Sequence, residues 1–148
     1  MNLFSRKILL VEDSHKDATF TVNALAEKNL AGEVIVTEDG EDALDFLYKR
    51  GKYSTSEDGN PAIIILDIKL PEMSGIEVLK KIRSEPRFKL IPVIMLTSSC
   101  DEKDILESYR LGANSFVVKP VDILKFMETI KVLGAYWSNV NQPPPERF

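Results

Sequence analysis

The chain has 148 residues, 44% of them hydrophobic and 28% charged, which excludes a disordered or fibrous protein and suits one domain hiding roughly 68–70% of its unfolded surface. Its 19 basic and 23 acidic side chains give a net charge of −4, which argues against nucleic acid as the main partner. One cysteine, Cys100, and one histidine, His15, exclude an internal disulfide, a cysteine-rich metal site and the common zinc sites. The longest apolar runs, Ile8–Val11 and Ala62–Leu66, fall far short of the ~18 residues that cross a bilayer. The first seven residues also lack the charged-then-apolar order of a signal peptide, so a cytoplasmic setting away from membranes is expected.

In chain order, short aliphatic or β-branched runs at Lys7–Val11, Glu33–Thr37, Ala62–Leu66, Pro92–Leu96 and Ser115–Val118 predict five strands. Ile8–Val11, Ile63–Leu66 and Val93–Leu96 are apolar throughout, as central strands of a parallel sheet are when both faces are covered. Between and after them the apolar spacing is helical: Val22, Leu25 and Ala26, then Ala43, Leu44 and Leu47, then Ile76, Leu79 and Ile82. Ile105, Leu106 and Tyr109 mark a fourth helix, and Ile123, Phe126, Met127 and Ile130 a fifth. Such alternation predicts an open α/β sheet with helices on both faces. Ser14 with Asp17, Asp39 with Asp42, Ser74 with Glu77, and Ser99 with Glu102 supply helix-start signals after strands, each a capping residue with an acid three positions on. Residues 49–61 contain Gly51, Gly59 and Pro61 and read as an extended surface loop, an insertion or a recognition element. A domain over residues 1–140 is expected to give way to a proline-rich tail, residues 141–148, that cannot continue a helix.

In an open parallel sheet, ligands bind beyond the carboxyl ends of the strands, where the strand order reverses. The residues just past those ends are Glu12 and Asp13, then Asp67, then Thr97 and Ser98, then Lys119 and Pro120. Three carboxylates brought together repel one another, and a divalent cation relieves the repulsion. Oxygen ligands without thiol or imidazole favour a hard ion, and few protein ligands with several waters suit Mg²⁺. Such an ion is usually completed by phosphate oxygens, which points to phosphoryl chemistry. Asp67 then becomes a candidate nucleophile, while Lys119 and Thr97 become candidate partners for phosphoryl oxygens.

These residues, in this order, resemble the receiver domain of bacterial two-component response regulators. The resemblance is carried by Ile8-Leu9-Leu10-Val11-Glu12-Asp13, by Ile64-Ile65-Leu66-Asp67-Ile68-Lys69-Leu70-Pro71 with Met73-Ser74-Gly75, by Pro92-Val93-Ile94-Met95-Leu96-Thr97-Ser98, and by Gly112-Ala113-Asn114-Ser115-Phe116-Val117-Val118-Lys119-Pro120. It implies a flavodoxin-like, doubly wound (βα)5 fold with a five-stranded parallel sheet in the order 2-1-3-4-5. It further implies that Asp67 accepts a phosphoryl group from a sensor histidine kinase. Glu12, Asp13, Asp67 and the backbone carbonyl of Lys69 would hold Mg²⁺, Lys119 would pair with the phosphoryl group, and Thr97 with Phe116 would form the switch. A signalling protein that catalyses only its own phosphorylation and dephosphorylation is implied, not an enzyme acting on external substrates.

The loop at 49–61, the stretch Ser84–Pro92 and the aromatic end Ala135-Tyr136-Trp137 look similar to stand-alone regulators of cyanobacterial phytochromes, which makes a phytochrome the expected kinase. With no output domain in the sequence, the signal is expected to leave by contact with a downstream protein. A phosphate sink or relay intermediate remains open, as does an Asp-nucleophile phosphohydrolase, although Lys69 stands where dehalogenase-like phosphatases carry a second acid. On the fifth helix, Ile123, Phe126, Met127, Ile130, Leu133 and Trp137 share one arc, with Val132 and Tyr136 beside it. The widened apolar band is either a long core stripe or a dimer patch. Resemblance to phytochrome-linked regulators favours a homodimer through the fourth helix, fifth strand and fifth helix, with Tyr136 and Trp137 in contact.

Overall fold

The computed structural model describes residues 7–28 and 34–145. Five parallel strands, β1 (Ile8–Val11), β2 (Val34–Thr37), β3 (Ile63–Leu66), β4 (Val93–Thr97) and β5 (Ser115–Val118), form one sheet in the order β2-β1-β3-β4-β5. They alternate with α1 (His15–Ala26), α2 (Gly40–Tyr48), α3 (Gly75–Ser84), α4 (Glu102–Arg110) and α5 (Ile123–Ala135). This is the expected flavodoxin-like arrangement.

Alternation along the central strands divides the core into two layers, because successive side chains leave a strand on opposite faces. Leu9, Val11, Ile64, Leu66, Val93 and Met95 pack against Ala43, Leu44 and Leu47 of α2 and Val78, Leu79 and Ile82 of α3. Ile8, Leu10, Ile63, Ile65, Ile94 and Leu96 face the other way, onto Ala18, Ala24 and Leu25 of α1 and Phe126 and Ile130 of α5. Both faces being covered explains why these strands are apolar throughout.

The strand boundaries move by one residue at several ends. β1 starts at Ile8 and β3 at Ile63, while β4 runs to Thr97 instead of ending at Leu96. Glu33 of the expected second strand lies outside the described residues. Three of the expected helix caps form, with the side chains of Ser14, Asp39 and Ser74 accepting from the amides of Asp17, Asp42 and Glu77. The fourth does not. Asp101 caps α4 by accepting from Lys103 N–H, while the Ser99 hydroxyl donates to Asp104 Oδ2 at 2.6 Å and accepts from Asp101 N–H. With β4 extended to Thr97, Ser99 belongs to the turn and Asp101 reaches the helix start.

Residues 49–61 contain a turn of 3₁₀ helix, Gly51–Tyr53. Tyr53 meets Phe46 edge-on at 5.4 Å and its hydroxyl donates to Asp42. Asn60 ties the same loop to the carbonyl of Arg87 at 2.7 Å. The loop is therefore docked on the body, not merely an extended connection. Beyond α5 the backbone widens into a π turn, Tyr136–Val140, closed by Asn141 N–H donating to the Tyr136 carbonyl. Residues 141–145 form neither helix nor strand; residues 146–148 of the expected tail lie outside the described residues, as do residues 1–6 and 29–33 of the expected domain. Among the described residues no helix is long and apolar enough to cross a membrane.

Candidate functional site

The sheet register delivers the candidate residues to one edge. Val11 stands level with Thr37 on one side and Leu66 on the other, and Thr97 stands level with Val118. The last ladder bonds then fix the next residue of each strand: Glu12 N–H donates to Thr37 O at 2.9 Å, Asp67 N–H to Val11 O at 3.1 Å, and Lys119 N–H to Thr97 O at 2.7 Å. Glu12 and Asp67 thus emerge side by side where the chain switches from one side of β1 to the other. That is the crevice in which doubly wound sheets bind ligands.

The loops fix the side chains further. Glu12 Oε2 accepts from Ser14 N–H at 3.2 Å, and Asp67 Oδ1 accepts from Lys69 N–H at 3.1 Å. Gly75 returns the β3–α3 loop to Ile68 O at 2.9 Å. A Cβ at Gly75 would lie 2.0 Å from the Asp67 carbonyl oxygen, so α3 can start this close to the strand end only without a side chain there.

At the centre lies the Lys119 ammonium, with its side chain 8% exposed. It donates to Glu12 Oε1 at 2.6 Å, to Asp67 Oδ2 at 2.9 Å and to Asp17 Oδ2 at 2.9 Å. Burial would strip the proton from this lysine, but the three carboxylate hydrogen bonds outweigh it and hold the group charged. For Glu12, burial is the largest influence and pushes its carboxyl up to about 7, with the Lys119 hydrogen bond pulling the other way and Asp67 adding repulsion. Glu12, Asp13 and Asp67 each offer an oxygen within 4.8 Å of the others, Glu12 and Asp67 buried and Asp13 exposed. One ammonium set among four carboxylates leaves an excess of negative charge. A hard cation with oxygen ligands fits that excess and that donor set.

Thr97 is fully buried, and its hydroxyl accepts from Ser99 N–H at 3.3 Å. Phe116, level with Met95 on the neighbouring strand, packs half-buried against the core layer that α2 and α3 cover. The acids, Lys69 and Lys119 are brought into direct contact or adjacency, while Tyr136 and Trp137 lie beyond α5, apart from the site. Tyr136 is exposed, and Trp137 meets it edge-on at 5.2 Å while packing against the α1–α5 core layer. His15 is exposed and faces Glu38 at 3.3 Å, and Cys100 is also exposed.

Sequence reasoning missed the side chain of Asp17, which it used only as the acid of a helix start. The available signal was position: the first turn of α1 follows directly on Glu12 and Asp13, so an acid there shares their edge of the sheet.

Residues 8–131 match the family described as the response regulator receiver domain. Response regulator Rcp1 of Synechocystis sp. (strain ATCC 27184 / PCC 6803 / Kazusa) is 35% identical over 130 residues, 88% of this chain and 87% of its own length. The Mn²⁺-bound form of Rcp1 superposes with a TM-score of 0.87 at 33% identity, covering 95% of this chain and 99% of that one. The phosphorylated cyanobacterial phytochrome response regulator RcpA gives 0.88 at 34% identity, with the same coverage. The bacteriophytochrome response regulator RtBRR is 48% identical, with a TM-score of 0.74, over 95% of this chain and 85% of its own. With strand order, buried lysine and acidic cluster already in agreement, the match over most of the sequence means that this chain belongs to the response regulator receiver domain family.

Proposed function

We propose that this protein is a single-domain response regulator, residues 1–140 with a proline-rich tail at 141–148, that takes a phosphoryl group on Asp67 from a sensor histidine kinase. The observation that carries the reading is the buried Lys119 ammonium bridging Glu12 and Asp67 beside Asp13. An Asp67 oxygen attacks the phosphorus in line, the phosphorus–nitrogen bond to the kinase histidine breaks, and the departing nitrogen keeps the bonding electron pair and takes up a proton from water. Lys119, held charged, pairs with a phosphoryl oxygen as negative charge shifts onto the group. Glu12, Asp13 and Asp67, with the backbone carbonyl of Lys69, are the residues that would hold Mg²⁺. When bound, that ion neutralises phosphoryl oxygens and relieves carboxylate repulsion. Thr97 offers its hydroxyl to the phosphoryl group once it leaves the Ser99 amide, and Phe116 fills the space vacated.

Similarity to Rcp1, RcpA and RtBRR supports a phytochrome as the kinase. In this reading the protein works in the cytoplasm and passes its signal on by protein contact, as a homodimer through α4, β5 and α5 with Tyr136 and Trp137 in the contact. Acetyl phosphate with Mg²⁺ is expected to add one base-labile phosphoryl group to the wild type and none to Asp67→Asn, read by intact mass. Equal labelling of both proteins would overturn the assignment of Asp67.

A further inference from the structure

The Lys119 ammonium has three N–H donors, and all three are taken by carboxylates, those of Glu12, Asp17 and Asp67. A phosphoryl oxygen that pairs with this lysine must therefore displace one of them. Phosphorylation turns the Asp67 carboxylate into an acyl phosphate, whose carbonyl oxygen is a weaker acceptor. Glu12, 3% exposed, is fixed from behind by the Ser14 amide. Asp17 differs from both: its side chain is 27% exposed and takes no part in the bond to phosphorus. It borders an open cavity of about 150 Å³ that Lys16, Phe20, Ser98, Lys119 and Pro120 also line.

The carboxylate of Asp17 is not needed to build α1. The helix uses only its backbone, with the amide donating to Ser14 Oγ at 3.2 Å and the carbonyl accepting from Thr21 Oγ1 at 2.8 Å. A helix-start acid serving the helix alone points its charge at the free amides of the first turn. This one reaches across to the end of β5.

We infer that Asp17 is a positioning residue that holds the Lys119 ammonium on the α1 side of the site and competes for it with an incoming phosphoryl oxygen, thereby slowing phosphoryl uptake. The inference rests on the reading of Asp67 as phosphoacceptor. Two consequences follow from the charge. Removing it frees Lys119 for the phosphoryl group, and it lowers the repulsion felt by an anionic donor. Competition at a site open to water is screened by salt, so the effect is greatest at low ionic strength.

The test uses the full chain with acetyl phosphate and Mg²⁺, following the rate of labelling by intact mass. Asp17→Asn, which keeps an acceptor oxygen but no charge, is expected to label about three- to tenfold faster than wild type in low salt, as one unit charge acting through largely aqueous surroundings predicts. At about 0.5 M salt the gap should narrow. Asp17→Glu, which restores the charge, should label close to the wild-type rate. Should Asp17→Asn fail to fold, Asp17→Ser is read in the same way. A folded, uncharged variant labelling at or below the wild-type rate would overturn the inference while leaving Asp67 as the acceptor. Acceleration by Asp17→Glu equal to that by Asp17→Asn would also overturn it, because lost geometry and not lost charge would then be responsible. A wild type that takes no label removes the phosphoacceptor reading and this inference together.

Discussion

Burial and charge act in opposite directions on neighbouring groups of the acidic edge. Lys119 stays charged because three carboxylates outweigh its desolvation, while Glu12, pressed into the same dry corner, holds its proton up to about 7 against an ordinary value of 4.5. Across that window the folded protein binds more protons than the unfolded chain, so this group's contribution to stability is complete at low pH and is lost as pH rises toward 7. In metal-free protein, urea midpoints of Glu12→Gln compared with wild type should lack this component of decline between pH 5 and pH 8; parallel profiles would refute it. Gly75 gives a second prediction at this scale, since a Cβ there would lie 2.0 Å from the Asp67 carbonyl oxygen and 2.8 Å from the Ile68 Cα. Gly75→Ala should cost about 1–3 kcal/mol, the usual range for overpacking. It should also slow labelling of Asp67, because α3 must back away from the strand that leads into the proposed acceptor. An unchanged urea midpoint and labelling rate would show that α3 slides without strain.

Among the five α-helices, α4 is held least by hydrophobic burial. Its buried position is occupied by Ser108, whose hydroxyl has no hydrogen-bond partner among the described residues, while Leu106 and Tyr109 are about half exposed. Its start is secured by polar contacts instead, the Asp101 cap and the bond from the Ser99 hydroxyl to Asp104. Ser108→Ala replaces an unsatisfied buried hydroxyl with a better helix former, and should raise stability by about 0.5–1.5 kcal/mol. A fall in the thermal midpoint would mean that the hydroxyl is satisfied in solution. By contrast, α3 is anchored at its far end by Arg83, whose guanidinium donates to the carbonyls of Gly112, Phe88 and Lys89 and to Asn114 Oδ1. The sheet edge that carries the acids therefore rests on one firmly tied helix and faces one lightly held helix. In the proposed reading, that contrast lets a charge change at the site be passed on to the lightly held helix.

For the molecule as a whole, several of the exposed apolar side chains lie on α4 (Leu106, Tyr109), β5 (Val118), α5 (Val132) and the π turn after it (Tyr136). A shallow groove of about 490 Å³ lined by Val117, Pro120, Val132 and Leu133 lies on the same side. A second copy of the chain would cover this surface. Sedimentation at tens of micromolar is expected to give a dimer, and Tyr136→Glu a monomer. Tyr136 is the better probe of the pair, because Trp137 also packs against its own core and its loss would lower stability directly. A wild type that stays monomeric at high concentration, with and without a phosphoryl mimic, would remove the dimer.

The alternation of apolar strands with helical spacing made an open α/β sheet legible in the sequence, because a sheet covered on both faces needs uninterrupted aliphatic runs, and Ile8–Val11, Ile63–Leu66 and Val93–Leu96 supply them, whereas the strand order was implied by the receiver resemblance. The candidates Glu12, Asp13, Asp67, Thr97 and Lys119 were legible for a related reason: in a parallel sheet, the residue after each strand falls on the same edge. Local signals were weaker where two residues competed for one role, as Ser99 and Asp101 did at the start of α4. Two features needed three-dimensional contact to appear. The loop at 49–61 reads as polar and open, yet Tyr53 fastens it to the preceding helix and Asn60 ties it to Arg87, 27 positions on. The bond between Asp17 and Lys119 joins residues 102 positions apart, and no pattern in the chain states that length or direction. Periodicity fixes which face of an element is buried, whereas only packing decides which charged tips meet across the gap between elements.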